Sequence, residues 1–191
     1  MKNGNTLALA AALLVIAQPA RADGWQDLKD KHAYHYRRAK DAFHEGRDEL
    51  YASGYTWHAP WAYGYERRHH ELNDIAWGGG FGRSVVDADG DTHSVYAIAS
   101  QDSHFKPQYF AGYLWTTYWP LAGSLQGGAL QGGLGYSVFV FSRGDIGGWF
   151  PTPGIVPAAS LRYRGAELVG VFVPGVAHAG NVGYVITRFS F

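Results

Sequence analysis

The 191-residue chain has no cysteine, so no disulfide contributes to its stability. It carries no net charge either. Its 16 basic and 16 acidic residues cancel, which removes the basic footprint expected of a nucleic-acid partner. Beyond residue 17 no apolar run is long enough to cross a bilayer as a helix, and the mean hydropathy is negative. A multi-helix membrane protein is thereby excluded. What the chain has instead is rings and glycines: 16% aromatic residues, among them 13 tyrosines and seven tryptophans, and 26 glycines. Amphipathic rings suit a membrane interface, where one end of the side chain is apolar and the other wet.

Both termini point toward a bilayer. Lys2 precedes an apolar run from Thr6 to Ala17, and Ala20-Arg21-Ala22 supplies a small-residue cleavage site. The run is shorter than the roughly 18–20 residues of a spanning helix, so residues 1–22 are expected to be a removed signal peptide. At the other end, Tyr184–Phe191 reads as a strand. Alternation puts Phe189 and Phe191 on one face and Arg188 and Ser190 on the other. Aromatics toward lipid and polar groups toward an interior are the pattern of an outer-membrane β-barrel.

Residues 23–49 spread Trp25, Leu28, Ala39, Ala42 and Phe43 among charged residues at helical spacing, with no proline and no interior glycine before Gly46. They are expected to form an amphipathic helix at the periplasmic side, either lying in the membrane interface or capping the barrel. From residue 54 to 191 strands alternate with turns. Strands are predicted near 54–65, 75–87, 91–101, 108–119, 128–142, 155–164, 166–174 and 181–191. Asp87-Ala-Asp-Gly-Asp91 is a tight hairpin turn with Gly90 free to take positive φ, and Arg164-Gly165 is a second short reversal. Short and long connections alternate, which gives an all-β, eight-stranded antiparallel transmembrane barrel, the smallest of its kind. A closed barrel has no edges to pair, so a monomer is expected. Pro151, Pro153 and Pro157 bracket the sixth strand and Pro174 ends the seventh. Proline removes a backbone donor, so these mark either turn punctuation or a gap in the wall wide enough for a lipid chain.

Three stretches carry possible chemistry. Thr56-Trp57-His58-Ala59 places a histidine on the first strand, Trp77-Gly78-Gly79-Gly80-Phe81-Gly82 is a glycine run within a strand, and Asp102-Ser103 enters a loop. His58, Asp102 and Ser103 are the residue types of acyl transfer: base, orienting acid, and nucleophile or proton donor. His69-His70 with Glu66 and Glu71 superficially resembles a metal cluster, but is read as a charged outer loop, and neither a metal nor another cofactor is expected.

Taken in order, these blocks together with Ala111-Gly112-Tyr113, Trp119-Pro120-Leu121-Ala122, Pro157, Pro174-Gly175 and Gly180-Asn181-Val182 make the chain resemble the lipid A palmitoyltransferases, the PagP family of the Gram-negative outer membrane. The resemblance runs from about Asp48 to Phe191. It implies an enzyme of the cell outer membrane that moves a palmitoyl chain from the sn-1 position of a phospholipid donor to a hydroxyacyl chain of lipid A, the acceptor. It also implies that His58, Asp102 and Ser103 are the active-site residues, and that Pro157 and Pro174 flank lateral lipid access. Arg67, Arg68 and Arg143 are read as solvated or phosphate-facing charges.

Two departures from the family pattern matter. Where relatives read Gly-Tyr-Gly-Trp, this chain has Gly112-Tyr113-Leu114-Trp115, placing Leu114 at the expected floor of the acyl pocket. Added volume in a close-packed interior shortens what can be bound, so a chain shorter than palmitate is expected. Ser53 and Ala76 stand where relatives carry prolines, which puts a second lateral opening in doubt. The rival readings are a non-catalytic surface-binding barrel and an outer-membrane phospholipase, which would hand the acyl chain to water.

Overall fold

Eight strands pair in chain order, and the last closes on the first. The computed structural model describes residues 22–123, 129–175 and 180–191. The expected signal peptide, apart from Ala22, lies outside them. The strands are β1 (Arg47–His58), β2 (Gly78–Val86), β3 (Thr92–Gln101), β4 (Pro107–Ala122), β5 (Leu130–Arg143), β6 (Thr152–Tyr163), β7 (Ala166–Val173) and β8 (Val182–Ser190). All eight pairings are antiparallel. Before them runs helix α1 (Ala22–Glu45). The chain divides into two compact units, residues 1–37 and 38–191, and α1 crosses the division. On α1, Trp25, Leu28, Tyr36 and Phe43 are exposed and recur at helical spacing along one stripe.

The helix ends earlier and the barrel begins earlier than the expected 23–49 and 54–191. Gly46 closes α1 by donating its N–H to Ala42 O at 3.1 Å; a Cβ there would stand 2.4 Å from that oxygen. Arg47–Ser53 is then already strand, paired with β2. Its alternation is hidden in the sequence because the inward face here is polar: Glu49, Tyr51 and Ser53 are buried.

Alternation continues around the wall. Leu134, Val138 and Val140 of β5, Ile155 and Leu161 of β6, Leu168 of β7 and Phe189 of β8 are exposed outward, as lipid-facing positions should be. Inside, the lumen has two halves. At the end bearing the two termini of the barrel, Arg188 of β8 is buried between Glu49 of β1 and Glu167 of β7, and its terminal nitrogens also donate to Ser94 Oγ and the Tyr118 hydroxyl. The Tyr51 ring lies across Gly82, whose Cβ would come within 2.7 Å of it. The other half is apolar and holds a cavity.

The connections sort by end. At the charged end, Asp87–Asp91 forms the expected hairpin with Gly90 at φ 87, and Arg164, rather than Gly165, takes the left-handed conformation at φ 56. At the apolar end lie 59–77, which contains helix α2 (Tyr65–His70), then 102–106, 144–151, 174–175 and 180–181. Two ladders stop short toward this end. Ala158↔Val171 is the last β6–β7 pair, so among the described residues Thr152–Pro157 has no partner on that side. Likewise Ser53↔Gly78 is the last β1–β2 pair, and Gly54–His58 is held by β8 alone as a strand. The second break occurs without flanking prolines. Its place is taken by Ser53 Oγ donating to Ala76 O (2.7 Å) and Thr56 N donating to Asp74 O (2.8 Å), which tie β1 to a segment leaving the ladder.

Candidate active site

His58 reaches the lumen through an irregularity. Before it, odd-numbered residues of β1 point inward: Glu49, Tyr51 and Ser53. The register against β8 then shifts between Ser53 and Tyr55, with Gly54 as the extra residue. Beyond the bulge, Thr56 and His58 are the inward pair, both buried. Bulges re-aim side chains in this way beside functional sites.

The imidazole is engaged on both nitrogens. His58 Nε2 lies 2.8 Å from Ser103 Oγ, and Nδ1 lies 2.9 Å from Asp74 Oδ1. His58 is 3% exposed, while the Asp74 side chain is 50% exposed and stands at the water-facing rim. The Tyr63 ring meets the imidazole edge-on at 5.4 Å. Burial pushes the Tyr63 phenol up, partly offset by Arg67 and Arg143, and the protonated hydroxyl donates to Gly180 O at 2.7 Å.

Of the three residues expected to meet, two do. Asp102 does not touch His58. Its Oδ1 accepts the backbone N–H groups of His104 and Lys106, each at 2.8 Å, and its Oδ2 accepts from Arg143 at 3.0 Å. It is 2% exposed and shapes the turn that presents Ser103. The carboxylate is turned instead toward its own loop and Arg143, which supply its three hydrogen bonds. The carboxylate beside the histidine is Asp74, which sequence reasoning missed. Its only signal was a polar Asn-Asp pair separated from the glycine run by Ile75, Ala76 and Trp77.

Arg143 joins two loops, bonding Asp102 and also Asp145 through Nε and Nη2 at 3.0 and 2.7 Å. Those hydrogen bonds hold the Asp145 carboxyl below its usual range. The tie is therefore fully present above the ordinary value of 3.8 and is lost as the pH falls through the lower value of the folded loop. Asp102, His104 and Asp145 bring potential ligand atoms within 4.8 Å of one another, but a cation there would have to displace the Arg143 guanidinium from both carboxylates. Of the sequence cluster, Glu66 and His70 lie on α2 and are exposed, with His70 3.4 Å from Glu66.

Below the His58–Ser103 couple opens a cavity of about 450 Å³ walled by Ile98, Phe110, Phe139, Val156, Val171 and Ile186, with His58, Ser103, Arg67, His104 and Arg143 at its mouth. It ends on Tyr96, whose hydroxyl is 2.7 Å from Ser137 Oγ. Leu114 stands one layer farther in. It is 4% exposed and packs with Ala158 and Val169 against Tyr96 and Val171. The surface of the floor is thus Tyr96, and Leu114 supports it from beneath. Pro157 and Pro174 lie along the upper β6–β7 break, Pro157 directly before the last paired residue Ala158 and Pro174 directly after β7. An apolar slot with a hydroxyl–imidazole couple at its mouth can hold a hydrocarbon chain and move a proton to or from an oxygen at the end where that chain becomes polar.

Comparison with known proteins bears on this arrangement. Residues 38–188 match the family described as "Antimicrobial peptide resistance and lipid A acylation protein PagP". The chain is 37% identical over 185 residues to the lipid A acyltransferase PagP of Bordetella bronchiseptica, covering 96% of this chain and 97% of that one. It is 38% identical over 154 residues to the lipid A acyltransferase PagP of Legionella pneumophila, covering 81% and 79%.

Proposed function

The chain belongs to the PagP family, and from that premise we propose that it is an outer-membrane acyltransferase that moves a saturated acyl chain, palmitoyl or shorter, from the sn-1 position of a phospholipid to a hydroxyacyl chain of lipid A. The observation that carries this reading is the His58–Ser103 couple at the mouth of an apolar-walled cavity. An acyl tail seated in the cavity leaves its ester carbonyl at the couple. His58 is the base: Nε2 takes the proton of the attacking hydroxyl and returns it to the glycerol oxygen as the old ester bond breaks and the new one forms. Ser103 either attacks first and carries the acyl group, or relays the proton of the lipid A hydroxyl. Asp102 contributes by holding the Ser103 turn.

Lipid reaches the cavity sideways in this reading. The upper β6–β7 break, bordered by Pro157 and Pro174, lacks the backbone bonds that would seal it, and the buried charges around Arg188 close the lumen at the other end. Arg67, at the mouth, suits a phosphate of either lipid, since guanidinium pairs phosphate oxygens in a fixed fork. The stripe of Trp25, Leu28, Tyr36 and Phe43 on α1 suits a membrane interface. With all strands paired around the ring, no edge invites a second copy, and the protein acts as a monomer.

Mass spectrometry of lipid A from outer membranes carrying the protein, beside a His58→Ala variant, tests the proposal. The expected result is one added saturated acyl chain, absent from the variant. Free fatty acid without modified lipid A would assign a phospholipase instead, and no change with a folded barrel would leave a binding protein.

A further inference from the structure

We propose that Asp74, and not Asp102, is the carboxylate that positions His58 for proton transfer. The inference rests on the acyltransferase reading for its kinetic consequence, but its structural claim stands apart from it.

The two ring nitrogens of His58 meet different neighbours. An ionised carboxylate can only accept hydrogen bonds, so the 2.9 Å contact to Asp74 Oδ1 puts the ring proton on Nδ1. Nε2 is then the lone-pair nitrogen, and the Ser103 hydroxyl at 2.8 Å donates to it. That tautomer is the one a general base needs, because the proton to be removed arrives at Nε2. Asp102 does not supply this orientation: its oxygens accept from the 102–106 turn and from Arg143, and the carboxylate bonded to His58 is that of Asp74.

Asp74 is also held where the two halves of the site meet. Its own carbonyl accepts from Thr56 N on the strand that carries His58. The preceding residue, Asn73, donates its backbone N–H to Ser103 O at 2.8 Å. The Asn73 side chain closes onto Ile75, accepting from its N–H at 2.9 Å and donating to its carbonyl at 2.7 Å. Residues 73–75 therefore fix the distance between the base and the hydroxyl as well as the ring's tautomer. Half-exposed at the rim, the Asp74 carboxylate keeps contact with solvent, while the ring it orients is buried. The geometry makes it a positioning residue that acts through His58.

The test uses the purified full-length barrel labelled with 15N-histidine in detergent micelles, with Asp74→Asn, Asp74→Glu and Asp102→Asn variants of verified far-ultraviolet dichroism. The His58 signals are assigned by their loss in His58→Ala. The expected spectrum has the wild-type His58 protonated on Nδ1, and Asp74→Asn moves the proton toward Nε2, whereas Asp102→Asn leaves the tautomer as it was. In transfer assays Asp74→Asn is expected to lower kcat by about 10³- to 10⁴-fold with little change in KM, the scale seen when an orienting carboxylate becomes an amide. Asp74→Glu is expected to recover part of that loss. An unchanged tautomer in Asp74→Asn, or a tautomer that moves in Asp102→Asn instead, overturns the proposal. If the wild-type protein transfers no acyl chain, the acyltransferase reading fails by itself, and the tautomer still decides the role of Asp74.

Discussion

Ser103→Ala is expected to lower transfer by on the order of 10⁴-fold or more, and combining it with His58→Ala is expected to cost little beyond either change alone. The two side chains form one device. Once the 2.8 Å contact between Oγ and Nε2 is broken, what remains of either residue has nothing to act on. Groups that work as a unit show this non-additivity, because the first deletion already removes the shared function. The single and double variants should be compared on folded protein with a defined phospholipid donor and lipid A. Losses that multiply would mean that Ser103 and His58 act independently. The same variants address the chemistry: if Ser103 attacks first, an acyl group should accumulate on it when lipid A is withheld, and alanine cannot carry one.

Shortening Leu114 to glycine is expected to lengthen the preferred donor chain by about two to four carbons, as a close-packed interior gives up roughly the volume of the methylenes removed. Leu114 is not among the residues that line the cavity. It keeps the Tyr96 ring up, together with Ala158, Val169 and Val171. Without it the ring can drop, and the cavity deepens by the space released. Each methylene that a hydrophobic slot accepts or rejects shifts discrimination by about 10- to 200-fold, so the change should be plain in assays with donors of graded length. The cost is a less stable barrel, about 2–5 kcal/mol for a buried leucine cut back to a small residue. Unaltered chain preference would mean that Tyr96, pinned by Ser137, sets the floor without support.

Much of this was legible in the chain itself, for physical reasons that also explain the omissions. The lipid-facing side of each strand must be apolar, so the alternation around Phe189, and the turn at Asp87–Asp91, could be read directly. The start of β1 could not, because Glu49, Tyr51 and Ser53 point into a polar half-lumen and look like the solvated face of a helix. Nor could the face that His58 occupies be counted forward from Glu49: strict alternation turns it toward lipid, and only the bulge at Gly54 returns it to the interior. Asp102 and Asp74 are harder still. Both are acids near strand ends, and their roles are set by which neighbour each meets in space. Arg143, 41 positions along the chain, takes Asp102, while a segment that departs from the β1–β2 ladder delivers Asp74 to His58. Tyr96 escaped notice because it is one of 13 tyrosines, and its place at the cavity's end follows from register alone.

The buried arginine at the charged end bears on how the ring is assembled. Arg188 belongs to the last strand, and its two carboxylate partners sit on the strands at either side of it, Glu49 on the first and Glu167 on the seventh. A half-closed sheet would leave that guanidinium inside the wall with one counter-charge or none, and removing one partner of a buried ion pair costs about 3–5 kcal/mol. Open and partly zipped forms are therefore penalised at the seam itself. The final stitch and the neutralisation of the lumen happen together, which makes closure a single cooperative event and gives the finished ring a lock at the place where it would otherwise come apart.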